Sequence, residues 1–143
     1  TTPILGVCLG FQALLEYHGG VVAPCGPVHG KSVPMTLTPA GAQHPVFHGL
    51  AIDTEPGQPG HLGTQIPVAR YHSLGCTDLP RGMRCLAHTS SDIGEVAMAA
   101  ETLDGRALGV QFHPESILTP TGPIMLARCI HQLSSRPTME KED

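Results

Sequence analysis

Residues 4–20 read ILGVCLGFQALLEYHGG, an apolar run that leads through two glycines into a helical pattern. Residues 4–8 are apolar, as in a buried strand, and residues 11–18 carry apolar positions among helix formers. A pair of glycines follows and ends the pattern. The segment therefore predicts a strand, a sharp turn and a helix.

Further elements are predicted on the C-terminal side of this unit. Apolar runs and alternating patterns predict strands, irregular in the first two cases, over residues 21–23, 33–37, 66–71, 83–88, 95–103 and 107–112. Helical spacing after Pro123 predicts a helix over residues 124–133, and the Gly- and Pro-rich residues 53–65 predict an exposed loop. We expect one domain over residues 1–135 and a flexible tail over residues 136–143.

Composition narrows the classes of function. The 143 residues are 41% hydrophobic and 14% charged, with a formal net charge of −4, which fits a single domain. No basic cluster is present, which argues against nucleic acid and membrane surfaces as partners. No apolar run approaches the about 20 residues of a membrane span, and no signal peptide opens the chain, so we expect a cytoplasmic protein.

Five cysteines are scattered without a CxxC pair, so neither a disulfide framework nor a zinc ribbon is indicated. One of them lies in GVCLG, residues 6–10, which has the form of a nucleophile elbow. Such a turn is so tight that the residues two before and two after the nucleophile must lack side chains, as Gly6 and Gly10 do, and Cys8 would be the nucleophile. A helix N-terminus lowers the pKa of a thiol, and the Leu9 N–H would face a developing oxyanion. The alternative is a buried structural cysteine in a Gly-rich turn.

A second candidate group follows the predicted strand over residues 107–112, in QFHPES. His113 and Glu115 are two residues apart, so an extended backbone projects them to one side, and Pro114 disfavours a helical conformation at His113. A carboxylate that accepts from one imidazole nitrogen leaves the other as a base. The alternative is a strand-end histidine capped by an acid. Strand ends in a parallel sheet open on one edge, so His113 and Cys8 can meet despite their separation in sequence.

Four motifs in order carry a family resemblance: GVCLGFQ, HGKS at residues 29–32, RYHSL at residues 70–74 and VQFHPESI at residues 110–117. Together they resemble class I glutamine amidotransferase domains, in particular the glutaminase components of anthranilate synthase and aminodeoxychorismate synthase. The first segment is also similar to the bacterial form in which synthase and glutaminase are fused. The resemblance implies a three-layer α/β fold, flavodoxin-like, with a mostly parallel sheet flanked by helices.

The resemblance also assigns roles to residues. It implies that Cys8 is the nucleophile, His113 the general acid/base and Glu115 its orienting partner. The family's N-terminal strands, with a loop that gives a second oxyanion donor, have no counterpart before Thr1. We therefore expect the domain to be N-terminally incomplete.

Substrate contacts are implied as well. Gln12 matches a residue that contacts glutamine, and it lies one helical turn beyond Cys8 on the same face. The backbone of Ser73 and Leu74 matches the segment that holds the amino-acid end of glutamine, with Leu9 at the oxyanion. HGKS matches a loop near the partner interface. The alternatives are a solvated helix residue for Gln12, a plain strand end for the RYHSL segment and a surface turn for HGKS.

The implied reaction is hydrolysis of L-glutamine through a γ-glutamyl thioester, which supplies ammonia to a chorismate-binding synthase for tryptophan biosynthesis. No cofactor is expected in this domain, because Mg²⁺ belongs to the synthase partner. The main alternative is the glutaminase of aminodeoxychorismate synthase or of another chorismate-aminating synthase. A truncated, non-catalytic interaction module is a third possibility, and a hydrolase that shares only the elbow would lack Gln12 and the RYHSL segment.

Overall fold

The computed structural model describes residues 2–26, 30–52 and 63–135. The elements in chain order are β1 Ile4–Val7, α1 Leu9–Tyr17, β2 Ala23–Pro24, β3 Lys31–Leu37, α2 Pro39–Ala42, β4 Gln65–Arg70, β5 Leu74–Gly75, β6 Met83–Ser91, β7 Gly94–Thr102, β8 Ala107–Val110 and α3 Gly122–Ser134. Each predicted strand and both predicted helices have a counterpart within a few residues. The predictions for residues 53–62, for His29 and for the tail over residues 136–143 lie outside the described residues.

Six strands form the main sheet in the order β1-β8-β7-β6-β3-β4, and β2 pairs separately with β5. The two strands that precede the candidate catalytic residues are neighbours, because β1 pairs with β8 in parallel, with Val7 opposite Val110. Cys8 follows β1 directly and His113 follows β8 by three residues. The topology therefore brings both to the same edge of the sheet.

The sheet is mixed, which corrects the expectation of a mostly parallel one. Within the described residues, only β1 and β8 pair in parallel, and the other pairings of the main sheet are antiparallel. Short connections explain this: two residues join β6 to β7, and four join β7 to β8. A parallel crossover needs a dozen or more residues, so these strands can only form hairpins.

Helices cover both faces, so the three-layer arrangement is confirmed. Along β8, the side chains of Leu108 and Val110 pack in the core that includes α3, whereas Ala107 belongs to the core that includes α1. Gly109 also faces α1, and a Cβ there would lie 2.3 Å from Cδ1 of Phe11. Phe11 is fully buried, so it packs in the core of the chain.

The short helix α2 was not predicted. Its N-terminus is nonetheless encoded, because Thr38 caps it by accepting a hydrogen bond from the Gly41 N–H at 3.1 Å and Pro39 follows the cap. Four residues are too few to show an apolar period. Together with α3 it covers the face of the sheet opposite α1.

Candidate active site

Cys8 occupies the turn between β1 and α1 in a strained backbone conformation. Its φ of 55° is positive, which no other non-glycine residue in the described ranges shows. The Cys8 N–H donates to the Val110 carbonyl at 2.9 Å, and the Cys8 carbonyl accepts from the Gln12 N–H at 3.0 Å. The turn is thus held from β8 on one side and from the helix on the other, as the elbow prediction requires.

The two flanking glycines differ in what they permit. A Cβ at Gly6 would lie 2.8 Å from the Gly10 carbonyl oxygen, so a side chain there is excluded by the backbone. A Cβ at Gly10 would meet nothing within 4 Å. The expectation that both positions must lack side chains is confirmed for Gly6 and wrong for Gly10, where the chain is already helical and faces open space.

Burial raises the pKa of the Cys8 thiol above its ordinary value, contrary to the expected lowering. The Leu9 backbone N–H and the Gln111 side chain act in the lowering direction, and the nearby charge of Glu115 adds to the increase. The helix N-terminus therefore has the predicted sign but is outweighed by desolvation. In this resting arrangement the thiol is protonated at neutral pH.

Glu115 orients the imidazole of His113. The His113 Nδ1 and Glu115 Oε2 atoms are 2.8 Å apart, and the Glu115 carboxyl has a pKa below its usual value because of its own backbone N–H and the bond to His113. Since an ionised carboxylate only accepts, Nδ1 carries the proton and Nε2 is left as the base. The Thr119 hydroxyl donates to the His113 carbonyl at 2.8 Å, and Tyr71 stacks edge-to-face on the imidazole with ring centroids 5.1 Å apart.

The thiol and the imidazole share an edge of the sheet but are not hydrogen-bonded to each other. Among the described residues, the side-chain hydrogen bond of the Cys8 sulfur goes to Gln111 Nε2, at 3.7 Å. The structure therefore places Cys8 directly after β1 and the His113–Glu115 pair after the neighbouring strand β8, and the catalytic use of the three residues stays a prediction.

The residues predicted to bind glutamine also gather here. Gln12 is buried, so a solvated helix position is ruled out, and its Nε2 donates to the Leu74 carbonyl at 3.3 Å. The side chain of Ser73 is exposed, and its carbonyl accepts from the Cys25 N–H at 2.8 Å. The RYHSL segment is thereby placed beside α1. Contact of Gln12, Ser73 and Leu74 with glutamine stays a prediction.

Sequence reasoning missed three polar residues that support this site. The buried Arg70 donates from Nε to His72 Nε2 at 2.9 Å, and His72 Nδ1 donates to the Leu74 carbonyl at 2.9 Å. Burial lowers the pKa of His72, with the charge of Arg70 acting the same way, so the ring is neutral. The third, Gln111, is almost fully buried next to Cys8. The sequence did contain a signal for these residues. Arg70 and His72 are two residues apart at the end of a predicted strand, and Gln111 follows the apolar residues 107–110.

Within the described residues no group of three or more His, Cys, Asp and Glu side chains is arranged to hold a metal ion. None of the helices in these ranges is long and apolar enough to span a membrane. The absence of a cofactor in this domain stays a prediction.

The chain matches a family profile and known relatives over most of its length. The profile of the family described as "Glutamine amidotransferase class-I" matches residues 1–133. Anthranilate synthase component 2 of Corynebacterium glutamicum is 60% identical over 131 residues, which cover 92% of this chain and 63% of the relative. The pyocyanine-specific anthranilate synthase component 2 of Pseudomonas aeruginosa is 41% identical over 129 residues, or 90% of this chain and 54% of the relative. The chain thus spans little more than half the length of these relatives.

Solved structures share the fold at low sequence identity. A Thermoplasma acidophilum protein superposes with a TM-score of 0.71 at 24% identity, covering 93% of this chain and 58% of the other. A glutamine amidotransferase of Thermotoga maritima gives a TM-score of 0.62 at 17% identity, covering 94% of this chain and 63% of the other. At these identities the likeness describes the fold alone.

Proposed function

The chain belongs to the class I glutamine amidotransferase family, and from this premise we propose that it provides the glutaminase site of an anthranilate synthase. The site would hydrolyse L-glutamine, and the ammonia would aminate chorismate in the synthase during tryptophan biosynthesis. The observation that carries the proposal is the strained Cys8 elbow on the same sheet edge as the imidazole that Glu115 orients. The identity to the Corynebacterium glutamicum component 2 favours this pathway.

The chemistry proceeds in two halves. His113 Nε2 takes the proton of the Cys8 thiol, and the sulfur attacks the side-chain carboxamide carbon of glutamine. The Leu9 N–H stabilises the oxyanion, His113 gives its proton to the leaving nitrogen, and ammonia departs from a γ-glutamyl thioester. Water that His113 deprotonates then breaks the thioester, glutamate leaves, and the thiol is restored. The sum is glutamine plus water to glutamate plus ammonia.

The raised pKa of Cys8 fits a glutaminase that depends on its synthase. A protonated thiol without a bond to the imidazole is slow to react, because the thiolate is the nucleophile. In the proposal, docking of the chorismate-binding synthase and binding of glutamine bring His113 Nε2 to the sulfur. Any Mg²⁺ acts in the synthase and not in this domain.

The experiment combines the full chain with its synthase, glutamine and chorismate, and identifies the aromatic product and the glutamate released. We expect anthranilate and an equal amount of glutamate. Cys8→Ser should lower the glutamine-dependent rate by at least about 10³-fold, because the nucleophile is lost. The matched control is Cys85→Ser, which replaces a half-buried thiol on β6 and should leave the rate within about twofold of the wild-type rate.

Two outcomes would overturn parts of the proposal. Aminodeoxychorismate in place of anthranilate would contradict the pathway, with the glutaminase chemistry intact. A Cys8→Ser variant that still releases glutamate at the wild-type rate would contradict the nucleophile and with it the proposed reaction.

A further inference from the structure

A continuous line of buried amide hydrogen bonds ends at the sulfur of Cys8. Gln12 Nε2 donates to the Leu74 carbonyl at 3.3 Å and to Gln111 Oε1 at 3.1 Å. Gln111 Nε2 then lies 3.7 Å from Cys8 Sγ. The RYHSL segment, helix α1 and the end of β8 are therefore joined to the thiol through two side-chain amides.

The Leu74 carbonyl fixes the orientation of both side-chain amides. The Leu74 carbonyl can only accept, so the NH₂ group of Gln12 must point towards it. The second hydrogen of that NH₂ group needs an acceptor, so Gln111 presents its oxygen to Gln12. Its own NH₂ group is then turned to Cys8. An amide in the opposite orientation would place two NH₂ groups against each other.

Gln111 itself has little freedom to move. Its side chain is 1% exposed, and its backbone N–H donates to the Met98 carbonyl at 2.8 Å, which extends the pairing of β8 with β7. A thiolate has no hydrogen to give, so a fixed N–H donor favours the thiolate over the thiol. A donor on the sulfur also restricts the rotation of the Cys8 side chain. Gln111 thus acts on both the protonation and the direction of the nucleophile.

We propose that Gln111 is a positioning residue for Cys8. The Gln111 amide holds and activates the Cys8 sulfur, because Gln12 and the Leu74 carbonyl set the orientation of that amide. The catalytic use of that sulfur rests on the proposed function, but the hydrogen-bond role does not. The same line joins the predicted glutamine contact Gln12 to the nucleophile. A displacement of Gln12 on substrate binding would therefore change the hydrogen bond from Gln111 to the sulfur.

The test measures thiol reactivity, which needs no turnover. The full chain is alkylated with iodoacetamide from pH 6.5 to 10.5, and the rate at Cys8 is read by peptide mass spectrometry. The variants are Gln111→Met, which removes the donor at similar volume, and Gln111→Glu, which keeps an acceptor for Gln12 but presents a carboxylate to the sulfur. Gln65→Met is the matched control, because it removes an amide that bonds to Thr36 on the neighbouring strand.

We expect Gln111→Met to alkylate at Cys8 about tenfold more slowly at pH 8, with the midpoint of the pH profile about one unit higher. Gln111→Glu should be slower still, and Gln65→Met should match the wild type. Since a lost buried amide also affects folding, thermal melting of each variant accompanies the profile. Gln12→Met is the second variant, because it leaves Gln111 in place without its orienting partner, and we expect about threefold slower alkylation.

Unchanged Cys8 profiles in folded Gln111→Met and Gln111→Glu would overturn the inference. If Gln111→Met does not fold, an unchanged profile in Gln111→Glu and Gln12→Met does the same. If the variants show these shifts but the wild-type chain releases no glutamate with its synthase, the proposed function alone would be contradicted.

Discussion

The backbone at Cys8 adopts a φ that side chains rarely tolerate, and its neighbours explain how it is kept there. Hydrogen bonds hold the residue from Val110 and Gln12. Gly6 allows the first turn of α1 to approach the end of β1 within van der Waals distance. The strain places the sulfur at the sheet edge, where the imidazole of His113 also lies.

Alanine at the two elbow glycines should have opposite effects. Gly6→Ala would force its Cβ against the Gly10 carbonyl, so we expect the free energy of unfolding to fall by about 1–3 kcal/mol. Gly10→Ala meets open space inside a helix, so we expect no loss and a gain of up to about 1 kcal/mol. Urea unfolding of the full chain measures both. Equal destabilisation by the two changes would contradict the steric account of the elbow.

At single residues, the sequence predicted the placement of the candidate site residues correctly and the direction of the Cys8 pKa wrongly. Cys8, His113 and Glu115 could be singled out as candidates because each has a short-range signature, a Gly-flanked turn or a spacing of two. The direction of the Cys8 pKa could not, because desolvation depends on everything packed around the thiol. The role of Gln111 was hidden for the same reason, since its partners lie about a hundred residues away in the chain.

At the element scale, α3 is held to the sheet by buried side chains that include Met125, Cys129 and Leu133. Burial raises the pKa of the Cys129 thiol to about 12. The pKa of a cysteine in an unfolded chain is about 8.5, so above that pH the folded state keeps a proton that the unfolded chain loses. The contribution of the Cys129 thiol to the free energy of unfolding is therefore fully present below about pH 8.5 and is lost as the pH rises towards 12.

The buried Cys129 thiol predicts how the free energy of unfolding depends on pH. Between pH 7.5 and 10, the Cys129 contribution should lower the free energy of unfolding by about 2 kcal/mol, and Cys129→Ala should remove that part of the decline. Leu133→Ala is the matched control, because it also leaves a cavity in α3 but carries no titrating group. Urea unfolding under reducing conditions at both pH values provides the measurement. An identical pH dependence in the wild type and Cys129→Ala would contradict the prediction.

The elements themselves were predictable where their pattern is local. The run over residues 4–18 and the helical spacing after Pro123 gave β1, α1 and α3 within a few residues. Strand direction was not predicted correctly, although the segment between the predicted strands 83–88 and 95–103 is already too short for a parallel crossover. Helix α2 shows no apolar period and could be recognised only from its Thr38-Pro39 cap.

In the molecule as a whole, one sheet separates two cores and brings the strand ends that precede Cys8 and His113 to one edge. Solved structures with 24% and 17% identity superpose with TM-scores of 0.71 and 0.62, so this arrangement tolerates extensive change in side chains. What the superpositions share is the arrangement of the elements and not their side chains. The order of the motifs in the sequence was enough to predict the family. Three of them, GVCLGFQ, RYHSL and VQFHPESI, span the ends of β1, β4 and β8.

Covalent trapping at Cys8 tests the central claim most directly. The full chain, in complex with its synthase, is treated with an electrophilic glutamine analogue, and the modified peptide is identified by mass spectrometry. We predict one adduct, located on Cys8, whose formation is suppressed by excess glutamine and unaffected by Cys85→Ser. An unmodified Cys8 in the complex, with the adduct on another cysteine, would contradict the assignment of Cys8 as the glutaminase nucleophile.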